Sequence, residues 1–295
     1  GEAYNDLYPI EPLIVKGDDF DPNASFKYRW TNTWFGGGGA TTQAHYDVYY
    51  NFYVQVYGHK RFILFAPEEH DNMYIFPYLH PASLQSQVDF DDPSSIQNFP
   101  NFKNLSGIQA ILSPGDVLYV PPLWFHHVTA LDLSMSVSVW TKSPEASRIH
   151  NTWQGEIPFR ASWSRNKIFK ATRLFLTLLL DSVLGKNKTA SFMQQELLNN
   201  RYNPLIKETP TLLSNTSFCK SVLDNLVAQE AMQEGDEIPM ETLFAPRINS
   251  LTETFNTFNT PAKKALWLGH FCEQLAVTLV GVENVARLFV DMATC

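Results

Sequence analysis

Thr41-Thr42-Gln43-Ala44-His45-Tyr46-Asp47-Val48-Tyr49-Tyr50-Asn51-Phe52-Tyr53-Val54-Gln55-Val56-Tyr57-Gly58-His59-Lys60-Arg61 is the stretch on which the reading of this chain turns. Side chains alternate faces along a strand, so His45 and Asp47 point the same way. An imidazole and a carboxylate so placed can clasp one side of a metal. A second stretch follows, Pro114-Gly115-Asp116-Val117-Leu118-Tyr119-Val120-Pro121-Pro122-Leu123-Trp124-Phe125-His126-His127. It reads as a turn, a buried strand, a proline-braced loop, and a histidine where the next strand begins. His126 completes a two-histidine, one-carboxylate triad. Such a triad leaves coordination positions open and suits non-haem Fe(II), which needs them for a cosubstrate and O2. A lone His-x-Asp occurs often by chance, so the expectation rests on the two stretches together.

Working outward, residues 28–35 alternate aromatic and polar side chains, as a strand does. Gly36 to Gly39 make a turn. No Lys-Ser/Thr follows them, so they do not read as a phosphate-binding loop. Further strands are predicted at 41–48, 50–57, 60–66, 107–112, 116–120, 126–131 and 134–141. About eight short antiparallel strands suggest a mainly β double-stranded β-helix, the jelly-roll or cupin barrel. Residues 67–98 form a long insertion, expected to hold turns and short strands and to cover something. Beyond Trp140 the period changes to a helical one, through Ile168, Ala171, Leu174, Phe175, Leu178 and Leu179. Ser164 is a plausible N-cap and Gly185 a stop. Further helices are predicted at 190–200, 216–233, 239–257, 261–279 and 281–293. The chain thus divides into an irregular lead-in at 1–27, a barrel at 28–150 and an α-helical C-terminal bundle at 151–295.

The 295 residues carry a net charge of -8, with a sequence pI of about 5.5. That balance argues against broad nucleic-acid binding. No apolar run is long enough for a membrane span: the stretch from Leu174 to Leu184 is broken by Thr177, Asp181 and Ser182. Three cysteines, all in the C-terminal third, do not look like a disulfide framework. A reducing compartment, cytoplasmic or nuclear, is the simpler expectation.

Several segments carry a family resemblance. They are Ala44-His45-Tyr46-Asp47, Asn51-Phe52, Gly58-His59-Lys60-Arg61, Gln85-Ser86-Gln87-Val88-Asp89-Phe90-Asp91, Pro114 to Tyr119, and Trp124-Phe125-His126-His127. On them the chain resembles JmjC-type Fe(II)- and 2-oxoglutarate-dependent oxygenases, with its nearest likeness to their asparaginyl-hydroxylase branch. The resemblance covers roughly residues 28–203. It implies that His45, Asp47 and His126 hold Fe(II). It implies that Thr42 and Lys60 grip the distal carboxylate of 2-oxoglutarate, where a buried anion needs a cation and hydroxyl donors. Asn51 would orient the cosubstrate and Trp140 would shape the pocket. Two departures stand out. The branch has an asparagine where this chain has Ser138, a shorter group near the cosubstrate. Its substrate-contacting Arg-Gln pair is Leu84-Gln85 here, which leaves Gln85 as the substrate contact and removes a donor array. The family also takes a tyrosine from a segment ahead of the barrel. The sequence starts after that point, so upstream residues or another group would supply it.

The resemblance implies a dioxygenase that hydroxylates a side chain in a protein substrate and releases succinate and CO2. Other readings are a JmjC enzyme acting on methyl-lysine or a tRNA base, a cupin enzyme using no oxoglutarate, and a non-catalytic cupin-like binding module. The C-terminal helices are a candidate homodimer surface. No membrane partner is expected, and nucleic acid is disfavoured.

Overall fold

Alternating apolar and polar residues, broken by glycine and proline, set out eight strands. The computed structural model describes residues 29–92, 94–202 and 239–294. The expected lead-in at 1–27 and the helix expected at 216–233 lie outside the described residues. The strands are β1 (Arg29–Gly36), β2 (Thr41–Tyr46), β3 (Tyr50–Tyr57), β4 (Lys60–Phe65), β5 (Gly107–Leu112), β6 (Val117–Val120), β7 (Phe125–Ala130) and β8 (Ser134–Thr141). They form two antiparallel four-stranded sheets, ordered β1-β8-β3-β6 and β2-β7-β4-β5. Consecutive strands mostly lie in opposite sheets, which is the double-stranded β-helix. The sheets meet through Tyr53 from one and Phe62, Leu112 and Val128 from the other. These residues define the inward face of each strand.

The tight turn between β3 and β4 carries the chain from one sheet to the other and starts the strand that bears Lys60. Gly58 has φ +66°, and a Cβ there would strike the Leu133 carbonyl oxygen and the Asp132 carboxylate. Only glycine fits such a turn without strain. Asp132 accepts from the His59 amide at 2.6 Å, and its other oxygen meets His59 Nδ1 at 2.7 Å.

The chain divides into two units. The barrel unit runs up to Glu69 and resumes over Leu84–Ser147. The helical unit takes His70–Ser83 together with the described residues from Arg148 onward. The helical unit thus draws in His70–Ser83 from within the inserted segment. That segment buries Met73, Tyr74 and Ile75, and its Tyr78 amide donates to Glu273 at 3.2 Å. The insertion also differs from expectation in its content. It begins with a 3-10 helix, Pro67–Asn72, and includes a single helical turn, Ser95–Asn98, where short strands were expected. Gln85 within it forms an isolated bridge with His45.

In the helical unit, α1 (Pro144–Thr152) was not anticipated. The next helix, α2 (Arg165–Leu184), starts and stops as its sequence dictates: Ser164 Oγ accepts from the Lys167 amide, and Gly185 ends it with φ 95°. The predicted 190–200 helix is a short α-turn, Thr189–Phe192, that widens into a π-helix over Met193–Asn199. Three further helices are described in the unit: α3 (Met240–Asn256), α4 (Pro261–Val280) and α5 (Val282–Ala293). Their core includes Phe175, Phe244, Phe255, Phe271 and Phe289, each 2% exposed or less. No described helix is long and apolar enough to cross a membrane.

Candidate metal centre

His45 lies on β2 and is paired across the ladder with His126 on β7. His126 is also paired with Leu64 on β4, whose inward neighbours are Phe62 and Lys60. Both histidines therefore face the barrel interior. His127 pairs with Ile63 and points to the other face, where it stacks on Phe90 at 5.0 Å. The register thus separates two adjacent histidines that the sequence presents side by side.

A β-bulge contributes to this arrangement. Thr42 pairs with Val128 and His45 with His126, so β2 spends three residues where β7 spends two. The extra residue lets Thr42 and His45 share the inward face although they are three positions apart, an offset that plain alternation would put on opposite faces. Asp47 follows the end of β2. Its carbonyl accepts from the Leu123 amide at 2.7 Å, which ties it to the proline-braced turn. Leu123 is fully buried with φ +65°, a strained conformation for leucine. That strain sits three residues before His126.

The ligand atoms converge. His45 Nε2 lies 4.0 Å from Asp47 Oδ1, and His126 Nε2 lies 3.7 Å from Asp47 Oδ2. The Nδ1 of His45 bonds the Gln43 carbonyl at 2.9 Å, and that of His126 bonds the Trp124 carbonyl at 3.3 Å. A carbonyl only accepts, so each Nδ1 carries the proton and each Nε2 lone pair is free. Burial, reinforced by the charge of His45, holds His126 well below the usual histidine pKa, which keeps it neutral. Burial raises the pKa of Asp47, against the opposing charge of His45 and a hydrogen bond from Asn51. Asp47 Oδ2 is buried and receives no hydrogen bond. A buried carboxylate oxygen without a donor is costly unless a cation meets it. Two imidazoles that present Nε2 and this oxygen form a donor set that fits a divalent metal with open positions.

A second polar cluster lies on the inward faces. Lys60 is 6% exposed, and its Nζ donates to Tyr53 Oη at 2.7 Å and Ser136 Oγ at 2.8 Å. Those two oxygens are 2.5 Å apart. Burial lowers the Lys60 pKa. Among the described residues no carboxylate pairs with it. Thr42 shares this inward face by register and is exposed there. Asn51 and Trp140 are paired across β3 and β8 and both face inward. Asn51 Oδ1 and Trp140 Nε1 are buried with no hydrogen-bond partner among the described residues. Ser138 accepts from Trp34 Nε1 at 2.9 Å. Gln85 bridges the His45 backbone at the free edge of β2, and the Ser86 amide donates to Ala44 at 2.7 Å.

Tyr53 and Ser136 were not singled out in the sequence. The signal was available for one of them: Asn51, Tyr53 and Gln55 put polar groups at every inward position of β3. Ser136 becomes visible only when β8 is laid beside β3.

Comparison with known proteins agrees with this architecture. Residues 15–147 match the family described as the cupin-like domain. JmjC domain-containing protein D of Dictyostelium discoideum is 38% identical over 138 residues, 45% of this chain and 30% of that protein. Lysine-specific demethylase 8 of Xenopus tropicalis is 40% identical over 111 residues, 37% of this chain and 24% of that protein. The tRNA wybutosine-synthesizing protein 5 of Gallus gallus is 35% identical over 105 residues, 35% of this chain and 31% of that protein. Over its barrel residues the chain is thus similar to the cupin-like domain and to parts of these proteins. It spans between 24% and 31% of the length of these relatives.

Proposed function

We propose that the barrel is an Fe(II)- and 2-oxoglutarate-dependent oxygenase that hydroxylates a side chain of a protein substrate, releasing succinate and CO2. The observation that carries this reading is Lys60. A metal triad alone would suit many cupins, but a buried ammonium without a carboxylate partner calls for an anion. In this reading His45, Asp47 and His126 hold the iron. The bound iron would supply the O2 chemistry that decarboxylates 2-oxoglutarate and oxidises a C–H bond. The protein's own residues bind and orient. Lys60, with Tyr53 and Ser136 turning their hydroxyls from one another toward the ligand, would give three donors to the distal carboxylate. Thr42 would add a fourth from β2, which β7 separates from the strand of Lys60. Asn51 steadies Asp47, and Ser138 and Trp140 would line the wall beside the cosubstrate. Gln85, fixed against the His45 backbone, would meet the substrate.

A protein substrate is preferred to RNA because the chain is acidic. The relatives' names span a demethylase and a tRNA-modifying protein, so the class of target rests on charge rather than on kinship. Asparagine as the target would need another donor, because Leu84 stands where the resembling branch has arginine. The test is to reconstitute the full chain anaerobically with Fe(II), 2-oxoglutarate and ascorbate, admit O2, and follow succinate. Succinate above an Asp47→Ala control supports the enzyme. No succinate, together with no 2-oxoglutarate binding by calorimetry, overturns it and leaves a binding module whose Lys60 is already satisfied by Tyr53 and Ser136.

A further inference from the structure

The helical unit contains a second convergence of metal-ligating groups, separate in sequence from the barrel triad. His70 closes toward two carboxylates, Asp71 beside it and Glu196 on the π-helix. His70 Nε2 lies 3.0 Å from Glu196 Oε2, 3.2 Å from Glu196 Oε1 and 3.3 Å from Asp71 Oδ1. We propose that His70, Asp71 and Glu196 form a second cation site, with one imidazole and two carboxylates binding a divalent ion of the zinc or manganese class.

Three observations support it. The first is spacing. A cation with bonds of about 2.0–2.2 Å to nitrogen and oxygen holds neighbouring ligand atoms roughly 3.0–3.5 Å apart. The atoms around His70 Nε2 already have that spacing, so binding needs little rearrangement.

The second is charge. The ligand atoms of His70, Asp71 and Glu196 all lie within 4.8 Å of one another, so two carboxylates crowd one small space. The charged groups acting on Asp71 are His70 and Glu196. One imidazolium supplies at most one positive charge against two negative ones. A divalent ion with neutral His70 balances the cluster and takes over the contact between the carboxylates.

The third is preorganisation with access. The His70 side chain is 8% exposed and that of Glu196 15%, whereas that of Asp71 is 58% exposed. Two ligands are held in place and the third faces water, where an ion can enter and keep a solvent ligand. Asn200, just past the π-helix, donates to the His70 carbonyl at 2.9 Å and accepts from the Ile75 amide at 3.1 Å. It fixes the start of the 70–83 segment beside Glu196. The widened π turn puts Glu196 in a position that an α-helix of the same sequence would not. An ion here would clamp the inserted segment to the helices of its own unit.

The test uses the full chain with the barrel triad disabled by His45→Ala and Asp47→Ala. Zinc alone is titrated into the metal-free protein by equilibrium dialysis, with manganese in parallel. The expected result is one bound equivalent of zinc, weakened at least about tenfold by adding Asp71→Asn or Glu196→Gln. Zinc should also raise the thermal midpoint of the triad-disabled chain and not of the chain carrying both further substitutions. If the triad-disabled background folds poorly, the wild-type chain serves: Asp71→Asn should lower its zinc content from two equivalents to one. Absence of zinc binding by the triad-disabled chain overturns the proposal. So does equal binding with and without Asp71 and Glu196. Either outcome reduces the cluster to a histidine–carboxylate ion pair.

Discussion

His45 and His126 stand directly opposite one another on β2 and β7, with ring centroids 4.2 Å apart. Each hands its Nδ1 proton to a carbonyl two residues before it in its own strand or turn. Local backbone therefore sets both tautomers, and both Nε2 atoms are ready for a metal before one arrives.

Asp47→Asn should abolish tight metal binding at the barrel triad. The loss should exceed the 10–100-fold (order of magnitude) that partners of ligands command, and Asn51→Ala should fall near that range. A cobalt titration followed by visible absorption measures both. In the metal-free protein Asp47→Asn should hold or raise the thermal midpoint, because it removes a buried carboxylate oxygen with no donor.

Tyr53→Phe should weaken 2-oxoglutarate binding by about tenfold to a hundredfold, the worth of one hydrogen bond to a charged group. Lys60→Met should weaken it further. Calorimetry with the metal-loaded chain reads both. Equal affinity in wild type and Tyr53→Phe would remove the tyrosine from the carboxylate site.

Arg201→Met should destabilise the helical unit by about 3–5 kcal/mol, since it strands Glu273 as a fully buried charge. Replacing the pair together, Arg201→Met with Glu273→Gln, should recover much of that loss. Urea unfolding of the four chains closes the cycle.

His270 gives a pH dependence. Burial first, then the charge of Arg201, pushes its pKa down to about 3 from 6.5. The folded state therefore binds the proton more weakly than the unfolded one. No penalty exists above pH 6.5; stability is lost as pH falls through the window from 6.5 to 3. The full loss is on the order of 4 kcal/mol. His270→Phe keeps a ring against Trp267 and Tyr78 and should flatten the wild-type minus variant difference across that window.

The barrel was legible because its signals are local. Two-residue alternation, the glycine at 58 and the prolines at 121 and 122 bound strands whose observed limits lie within a residue or two of those expected. The long helix α2 was legible for the same reason, with a cap at Ser164 and a stop at Gly185. What the sequence hid depends on partners distant in the chain. The bulge before His45 exists only relative to β7. Ser136 meets Lys60 only across the barrel. Residues 70–83 join the helical unit because Ile75 and Tyr78 find Asn200 and Glu273, more than a hundred residues on. The short helix Pro144–Thr152 lacked a long apolar period, and the π-helix keeps the apolar spacing of the α-helix it replaces.

The bulge in β2 also bears on how such a site is inherited. Because the direction of His45 is set by a count of residues, substitution at Gln43 or Ala44 leaves it facing inward. Loss of one residue between Thr42 and His45 would remove the bulge and leave the two side chains in plain two-residue alternation, still on one face, opposite Val128 and His126. The direction of His45 therefore withstands both exchange and loss of the residue that the bulge carries.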